Sequence, residues 1–202
     1  GLRLHLQKRM PLAAGLGGRM RPVTERMPKP LIPVAGRPLL DPVLDRLAGA
    51  GVARAVVNVH YLAGMIERHV QGRTKPSIVI SDERTELLDT GGGLKKAGWF
   101  FAASPDEPFI LHNVDVISTI DFERMLSFHN AHRPLATLAV QARKTSRYLL
   151  FDERGRLCGR SPTPDAKFQS LGFAGIHVIS PRLLTMLPDE EVFSVVTSYL
   201  DL

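Results

Sequence analysis

One cysteine, Cys158, stands in a chain of 202 residues, so the chain can form no internal disulfide and offers no cysteine cluster for zinc. No apolar run approaches the ~18 to 20 residues that span a bilayer. The first ten residues are basic but lack the apolar stretch and small-residue cleavage site of a secretory leader. A cytoplasmic location is the expectation. Aromatic residues make up 6% of the chain, and no finger-like or aromatic-rich motif accompanies its basic residues. The formal charge of +6, from 26 Lys and Arg against 20 Asp and Glu, is spread along the sequence. It reads as solvated surface plus a site for small anions, and nucleic acid is not an expected partner.

The glycine-rich stretch near the N-terminus also lacks two familiar signatures. A dinucleotide fingerprint needs glycine three residues after Gly17, where Met20 stands, and no Gly-Lys pair followed by Ser or Thr makes a Walker A loop.

What is present is an alternation of short apolar runs and amphipathic segments. Leu40, Val43, Leu44 and Leu47 recur at helical spacing, closed by Gly49 and Gly51. Ala53–Val59, Ser77–Ser81 and Phe109–Val114 read as strands. Leu62–Val70, Gly93–Phe101 and the stretch through Phe122, Met125, Leu126 and His129 read as helices. After Ala131 strands dominate: Ala136–Gln141, Tyr148–Phe151, Leu157–Gly159 and Phe173–Ile179, with a hairpin turn at Arg154-Gly155. Short helices are expected from Pro181 and near Phe193. The pattern predicts an α/β fold with a Rossmann-like, mostly parallel sheet, helices on both faces and a small, partly antiparallel extension. One domain covers residues 1–202. Ligands of such sheets bind at the C-terminal ends of the strands. The loops expected there are 15–29, 58–61, 82–93 and 113–118.

The chemistry concentrates in Leu12-Ala13-Ala14-Gly15-Leu16-Gly17-Gly18-Arg19-Met20-Arg21-Pro22, followed by Pro28-Lys29-Pro30. Glycines let amide groups approach a ligand, and a run of free N–H groups makes an anion-binding hollow. Arg19 and Arg21 add fixed charge, and Lys29 sits between two prolines on a stiff segment. Asp115, just past an apolar strand at the ligand edge, suits a hard cation such as Mg²⁺. Asp82 and Asp89 read as turn or capping residues, and His60 and His112 as lining or satisfied core residues. Arg143–Arg147 is a basic hinge, solvated by default, with a cation able to meet an anionic ligand.

These stretches resemble the sugar-1-phosphate nucleotidyltransferases. Leu31-Ile32-Pro33-Val34-Ala35-Gly36-Arg37-Pro38-Leu39, Val56-Val57-Asn58-Val59-His60 and Leu88-Asp89-Thr90-Gly91-Gly92-Gly93 carry the same likeness. It is nearest to the branches of N-acetylmuramate 1-phosphate uridylyltransferases and mannose-1-phosphate guanylyltransferases. The resemblance implies the nucleotide-diphospho-sugar transferase type of fold, and an enzyme that moves a nucleoside monophosphate from a triphosphate to a sugar 1-phosphate with Mg²⁺, in NDP-sugar and cell-envelope synthesis. By position it implies that the backbone of Leu12, Ala13, Ala14 and Gly15 meets base and ribose. Gly17, Gly18 and Arg19 cradle the β and γ phosphates, and Lys29 neutralises charge near the phosphate under attack. Thr90, Gly91 and Gly92 line the base pocket, Asp115 holds Mg²⁺ and Gly175 passes close to the sugar.

The sequence departs from the family pattern in places. Gly18 replaces the usual Thr or Ser, and Pro11 suits an edge strand better than a central one. From Leu94 to Gly159 the likeness shifts to another branch. The segment that carries a second metal-binding aspartate in family members is not found before Leu202, so the expectation is a domain truncated at its C-terminus. The alternative function is a nucleotide-binding module of the same ancestry with little or no catalysis.

Overall fold

In the computed structural model, residues 8–12, 26–85, 88–114 and 118–202 are described, with side chains from residue 26 onward. Four strands form the parallel half: β1 (Lys8–Leu12), β4 (Arg54–Val59), β5 (Ser77–Asp82) and β6 (Phe109–Asn113). They lie in the order β5-β4-β1-β6, and the sheet continues through β10 (Gln169–Ile179), β8 (Tyr148–Phe151) and β9 (Leu157–Ser161), all antiparallel. A further strand, β7 (Ala136–Gln141), pairs with β10. The short β2 (Pro33–Val34) and β3 (Arg37–Pro38) make a separate two-stranded ribbon.

Period-two alternation divides the core between two faces. Ala55, Val57, Val59 and Ile110 face the first layer, against α1 (Leu40–Gly49), α2 (Ala63–Val70) and α5 (Phe122–His132). Val56, Phe109 and Leu111 face the second, against α3 (Asp89–Lys96), α4 (Gly98–Ala102) and Val195 of α6 (Val195–Asp201). Phe101 stacks on Phe109 there, with ring centroids 4.0 Å apart. The helices-on-both-faces expectation holds.

Three expectations need correction. Pro11 is not on an edge: β1 runs between β4 and β6. Its ladder to β4 ends at Arg9↔Ala55, and only the β6 ladder continues through Pro11↔His112 to Leu12↔Asn113. A proline lacks the donor for a second ladder, and the pairing accommodates it by stopping short on one side. The helix expected over Gly93–Phe101 is two helices, and the first begins four residues earlier, at Asp89. The last strand begins at Gln169 rather than Phe173. The hairpin at Arg154-Gly155 is present: Gly155 takes φ +72°, and Asp152 accepts from the N–H groups of Arg154 and Arg156 at 2.9 Å. Among the described residues no helix is long and apolar enough to cross a membrane.

Candidate functional site

A cleft of about 940 Å³ opens where the parallel half meets the antiparallel extension. On one side stand Asn113, the last residue of β6, and Ser118 and Thr119 in the loop that follows. Asp89 and Thr90 contribute the first turn of α3, and Ser194, Val195 and Val196 the start of α6. The opposite wall is β7 to β10, with Gln141, Leu149, Phe173, Gly175 and His177. Arg143, Arg147 and Arg160 complete that wall.

The bend that brings β10 into the cleft is visible in its pairing. Phe173 opposes Val140 and His177 opposes Leu138, so β10 carries two extra residues there. Gly175 lies in that bulge at φ +73°, a backbone conformation that costs a side-chain-bearing residue energy. Gly172, one strand turn earlier, leaves room for Arg143: a Cβ at this position would come within 2.8 Å of Arg143 Cγ and Nε. Arg143 lies across it and donates through Nη2 to the Phe173 carbonyl at 3.1 Å.

The loop after β6 is tied down from behind. Arg46, on α1, donates to the carbonyls of Ser118 and Ile120, the latter at 2.6 Å, and its guanidinium sits 4.8 Å from the Phe122 ring centroid. The sequence gives one faint hint of this: Arg46 adjoins the apolar stripe of its helix instead of lying opposite to it. At the back of the cleft His177 Nδ1 pairs with the Tyr199 hydroxyl at 2.8 Å, joining β10 to α6. Burial, with neighbouring His112 second, pushes His177 down to about 3, so its ring is neutral at pH 7. The Tyr199 hydroxyl is pushed up by its own burial.

The residues singled out from the sequence fall in four groups. Thr90 and Gly175 line the cleft, and Leu12 ends β1 beside Asn113. Gly91 and Gly92 lie in the first turns of α3 and face the 191–193 segment: the Gly91 N–H donates to the Phe193 carbonyl at 2.8 Å, and Val195 N–H donates to Thr90 Oγ1 at 3.2 Å. Lys29 opens a 3-10 turn (Lys29–Leu31) between the buried Pro28 and Pro30, outside the cleft lining. Ala13, Ala14, Gly15, Gly17, Gly18, Arg19 and Asp115 lie outside the described residues.

Asp82 ends β5 and Asp89 opens α3, each with its side chain turned to a nearby backbone N–H, as a capping role would have it. Asp82 accepts from Arg84 N–H at 2.9 Å and Asp89 from Thr90 N–H at 2.6 Å. His112 is buried, and its Nδ1 meets the Asn113 carbonyl at 2.7 Å. His60 Nδ1 meets the carbonyl of Glu83. Asn58, expected at a site loop, is instead wholly buried beneath α3, donating to Glu83 Oε1 and to the Gly93 carbonyl. Two signals were missed in the sequence: Arg160, whose strand pairing brings it beside the hinge, and the role of α6 as a cleft wall.

Asp89 and Asn113 offer hard oxygen donors at the cleft. Such donors suit Mg²⁺, which keeps water and phosphate oxygens as most of its ligands. Among the described residues no group of three His, Cys, Asp or Glu gathers. An ion there would rest on one or two carboxylates and on the phosphates of its substrates.

The chain is similar to known proteins in sequence and in fold. Residues 8–151 match the family described as Nucleotidyl transferase. The chain is 39% identical over 199 residues to the N-acetylmuramate alpha-1-phosphate uridylyltransferase of Caulobacter vibrioides, covering 89% of this chain and 78% of that one. It is 32% identical over 203 residues to the mannose-1-phosphate guanylyltransferase catalytic subunit beta of Drosophila melanogaster, covering 95% of this chain. It spans only 54% of that relative's length. Its fold matches UDP-glucose pyrophosphorylase from Acinetobacter baumanii with a TM-score of 0.79 at 17% identity, over 97% of this chain and 82% of the other. A βαβ half sheet, a cleft at its C-terminal edge and an arginine-bearing antiparallel wall thus sit in a sequence matched over most of its length, and the chain belongs to the nucleotidyl transferase family, among the sugar-1-phosphate nucleotidyltransferases.

Proposed function

We propose that this chain transfers a nucleoside monophosphate from a nucleoside triphosphate to a sugar 1-phosphate, releasing pyrophosphate. The observation that carries the reading is the two-sided cleft. One side is the C-terminal edge of a parallel sheet, where nucleotides bind in such folds, and the other bears three arginines suited to an anionic partner.

A non-bridging oxygen of the sugar 1-phosphate attacks the α-phosphorus, the bond from that phosphorus to the bridging oxygen breaks, and pyrophosphate leaves with the electron pair. The attacking oxygen is already anionic, so no general base is needed. Catalysis then rests on alignment and on fixed positive charge.

In this reading the backbone of Leu12, Ala13, Ala14 and Gly15 meets base and ribose, and Thr90, Gly91 and Gly92 close the base pocket. Gly17, Gly18 and Arg19 cradle the outgoing phosphates, and Lys29 neutralises charge near the phosphate under attack. Arg143, fixed over Gly172 and tied to Phe173, holds the sugar 1-phosphate, with Gly175 passing beneath the sugar. Asp115 would hold Mg²⁺, which supplies charge neutralisation on the phosphates. The sugar is a hexose or N-acetylated hexose, and the setting is cytoplasmic synthesis of NDP-sugars for the cell envelope. The relatives named above transfer uridylyl and guanylyl groups, so UTP and GTP are the first triphosphates to try.

The reaction run backwards is a clean test. Incubated with an NDP-sugar, pyrophosphate and Mg²⁺, the protein is expected to produce the nucleoside triphosphate, and Lys29→Ala or Arg19→Ala to reduce the yield sharply. Asp115→Asn is expected to shift the Mg²⁺ titration to higher concentration. Production of triphosphate by both loop variants at the wild-type rate would remove the phosphate-loop assignment.

A further inference from the structure

Asp89 lines the cleft with its backbone at φ +58°. That left-handed conformation costs energy for a residue with a side chain, and persists only where the surroundings enforce it. Two sets of contacts hold the turn. The 191–195 segment supplies the first, through the Phe193 carbonyl to Gly91 N–H and the Val195 N–H to Thr90 Oγ1. The second comes from the sheet, from Asn58 on β4 and Glu83 just past β5. Both side chains are wholly buried, and neither lines the cleft. Asn58 Nδ2 donates to Glu83 Oε1 and, at 3.3 Å, to the Gly93 carbonyl. The Leu88 N–H donates to the Glu83 carboxylate. Leu88 and Gly93 bracket the stretch from Asp89 to Gly92, so the pair grips the start of α3 at both ends. The approach is close: a Cβ on Gly93 would lie 2.7 Å from Glu83 Oε1 and 2.8 Å from Asn58 Nδ2.

The grip is anchored in the sheet. Glu83 N–H donates to the Val59 carbonyl at 2.7 Å, and the Glu83 carbonyl meets His60 Nδ1. Packing alone does not call for polar residues here. Asn58 follows Val56 on the same face of β4, and Val56 belongs to the apolar layer under α3. An aliphatic side chain at position 58 would continue that layer. An amide and a carboxyl are costly to bury, and among the described residues one oxygen of each has no partner. What the pair supplies in return is direction, since its hydrogen bonds fix where α3 begins.

Resting on the nucleotidyltransferase reading of this cleft, in which Thr90, Gly91 and Gly92 close the base pocket, we propose that Asn58 and Glu83 are positioning residues for the nucleotide. From beneath α3 they hold the turn that brings Asp89 and Thr90 to the cleft, and so set the affinity for ligands that carry a base. Without the grip the turn relaxes, the binding-competent fraction falls, and apparent affinity falls with it.

Calorimetry on the full chain with Mg²⁺ tests this by comparing UTP and GTP with pyrophosphate, which has no base. Asn58→Val continues the aliphatic layer, and Glu83→Met keeps the side-chain length without the oxygens. Each is expected to weaken the better-bound triphosphate about tenfold and to leave pyrophosphate within about twofold. Glu83→Gln keeps an acceptor for Asn58 and Leu88, and is expected to bind that triphosphate within about twofold of wild type. A thermal melt checks that each variant is folded. The double variant Asn58→Val, Glu83→Met leaves neither side chain unpaired, so it serves where a single variant does not fold. Triphosphate and pyrophosphate weakened alike, or triphosphate bound as in wild type by a folded apolar variant, overturns the proposal. Failure of all three apolar variants to fold makes the pair a requirement of the fold and overturns it too. Failure of the broader reading looks different: wild type binds neither triphosphate and forms none in the reverse reaction, and the proposal falls with it.

Discussion

Arg46 donates through Nη2 to the carbonyl oxygen of Ile120 at 2.6 Å, across 74 positions of sequence. Its other terminal nitrogen donates to Ser118, and Phe122 lies under the guanidinium. One side chain on α1 thus fixes the loop between β6 and α5, which borders the cleft through Ser118 and Thr119.

Replacing that fork is expected to loosen the loop. Arg46→Ala should cost about 1–2 kcal/mol of stability, from two lost charge-assisted bonds in a half-buried setting. Arg46→Lys keeps the charge but not the two-carbonyl geometry, and should recover less than half of the loss. Chemical denaturation of the three proteins checks this. Equal midpoints for wild type and Arg46→Lys would mean that charge alone matters there.

The glycines of α3 give a prediction of opposite sign to the usual one. Glycine inside a helix normally costs about 1 kcal/mol relative to alanine. Here a Cβ on Gly92 would run into the Glu191 carbonyl, one on Gly91 into the Phe193 ring, and one on Gly93 to 2.7 Å from Glu83 Oε1. Gly92→Ala should therefore destabilise by about 1–3 kcal/mol, lowering the melting temperature by roughly 3–10 °C. Gly49→Ala, with nothing within 4 Å of the added methyl, should raise it slightly. A higher melting temperature for Gly92→Ala would contradict the packing of α3 on the 191–193 segment.

The same helix shows where sequence reasoning stops. Leu40, Val43, Leu44 and Leu47 announced α1 because a one-sided apolar stripe is a local signal, and all four are buried. Three consecutive glycines announce a loop by the same logic, and the groups packed over Gly91 and Gly92 come from residues about a hundred positions away. Pro11 misled for a related reason: its central place is set by where the β4 ladder stops. Of the cleft lining, the sequence pointed to Thr90, Gly175 and the Arg143–Arg147 hinge, while the glycine-rich loop lies outside the described residues. Arg160 was invisible, since only the pairing of β9 with β8 puts it at the cleft.

Two buried histidines set the acid side of the stability profile. His129 pairs with Thr137 Oγ1 and Ser180 Oγ, each at 2.9 Å. Burial first, and Arg182 second, push it down to about 4 from 6.5. His177 lies at about 3. Below pH 6.5 the unfolded chain takes up protons that the folded chain refuses, so stability falls as pH drops from 6.5 toward 4. Each histidine contributes a slope of about 1.4 kcal/mol per pH unit at most. His129→Gln should flatten that fall; melting curves from pH 7 to 4.5 that remain parallel to wild type would contradict it.

Glu83 acts in the other direction. It is wholly buried beside Asn58, and burial raises its pKa, with the Asn58 amide opposing. Among the described residues its Oε2 and the Asn58 Oδ1 have no partner. The protonated form is the one the site prefers, so its contribution is complete below the unfolded value of 4.5 and is lost as pH rises through the raised folded value. Glu83→Gln supplies an N–H in place of a charge. It should match or exceed the wild-type melting temperature at pH 8, by a margin that shrinks toward pH 5. A variant less stable than wild type at pH 8 would show that the carboxylate is favoured as an anion.

The central claim is most directly tested by pyrophosphate release in the forward direction. The protein is mixed with Mg²⁺, each common nucleoside triphosphate in turn, and a panel of neutral and acidic sugar 1-phosphates. The account predicts release that requires one particular pairing of triphosphate and sugar 1-phosphate, and none when either is omitted. Absence of release from every pair, with a triphosphate still raising the melting temperature, would contradict it and leave a nucleotide-binding module in its place.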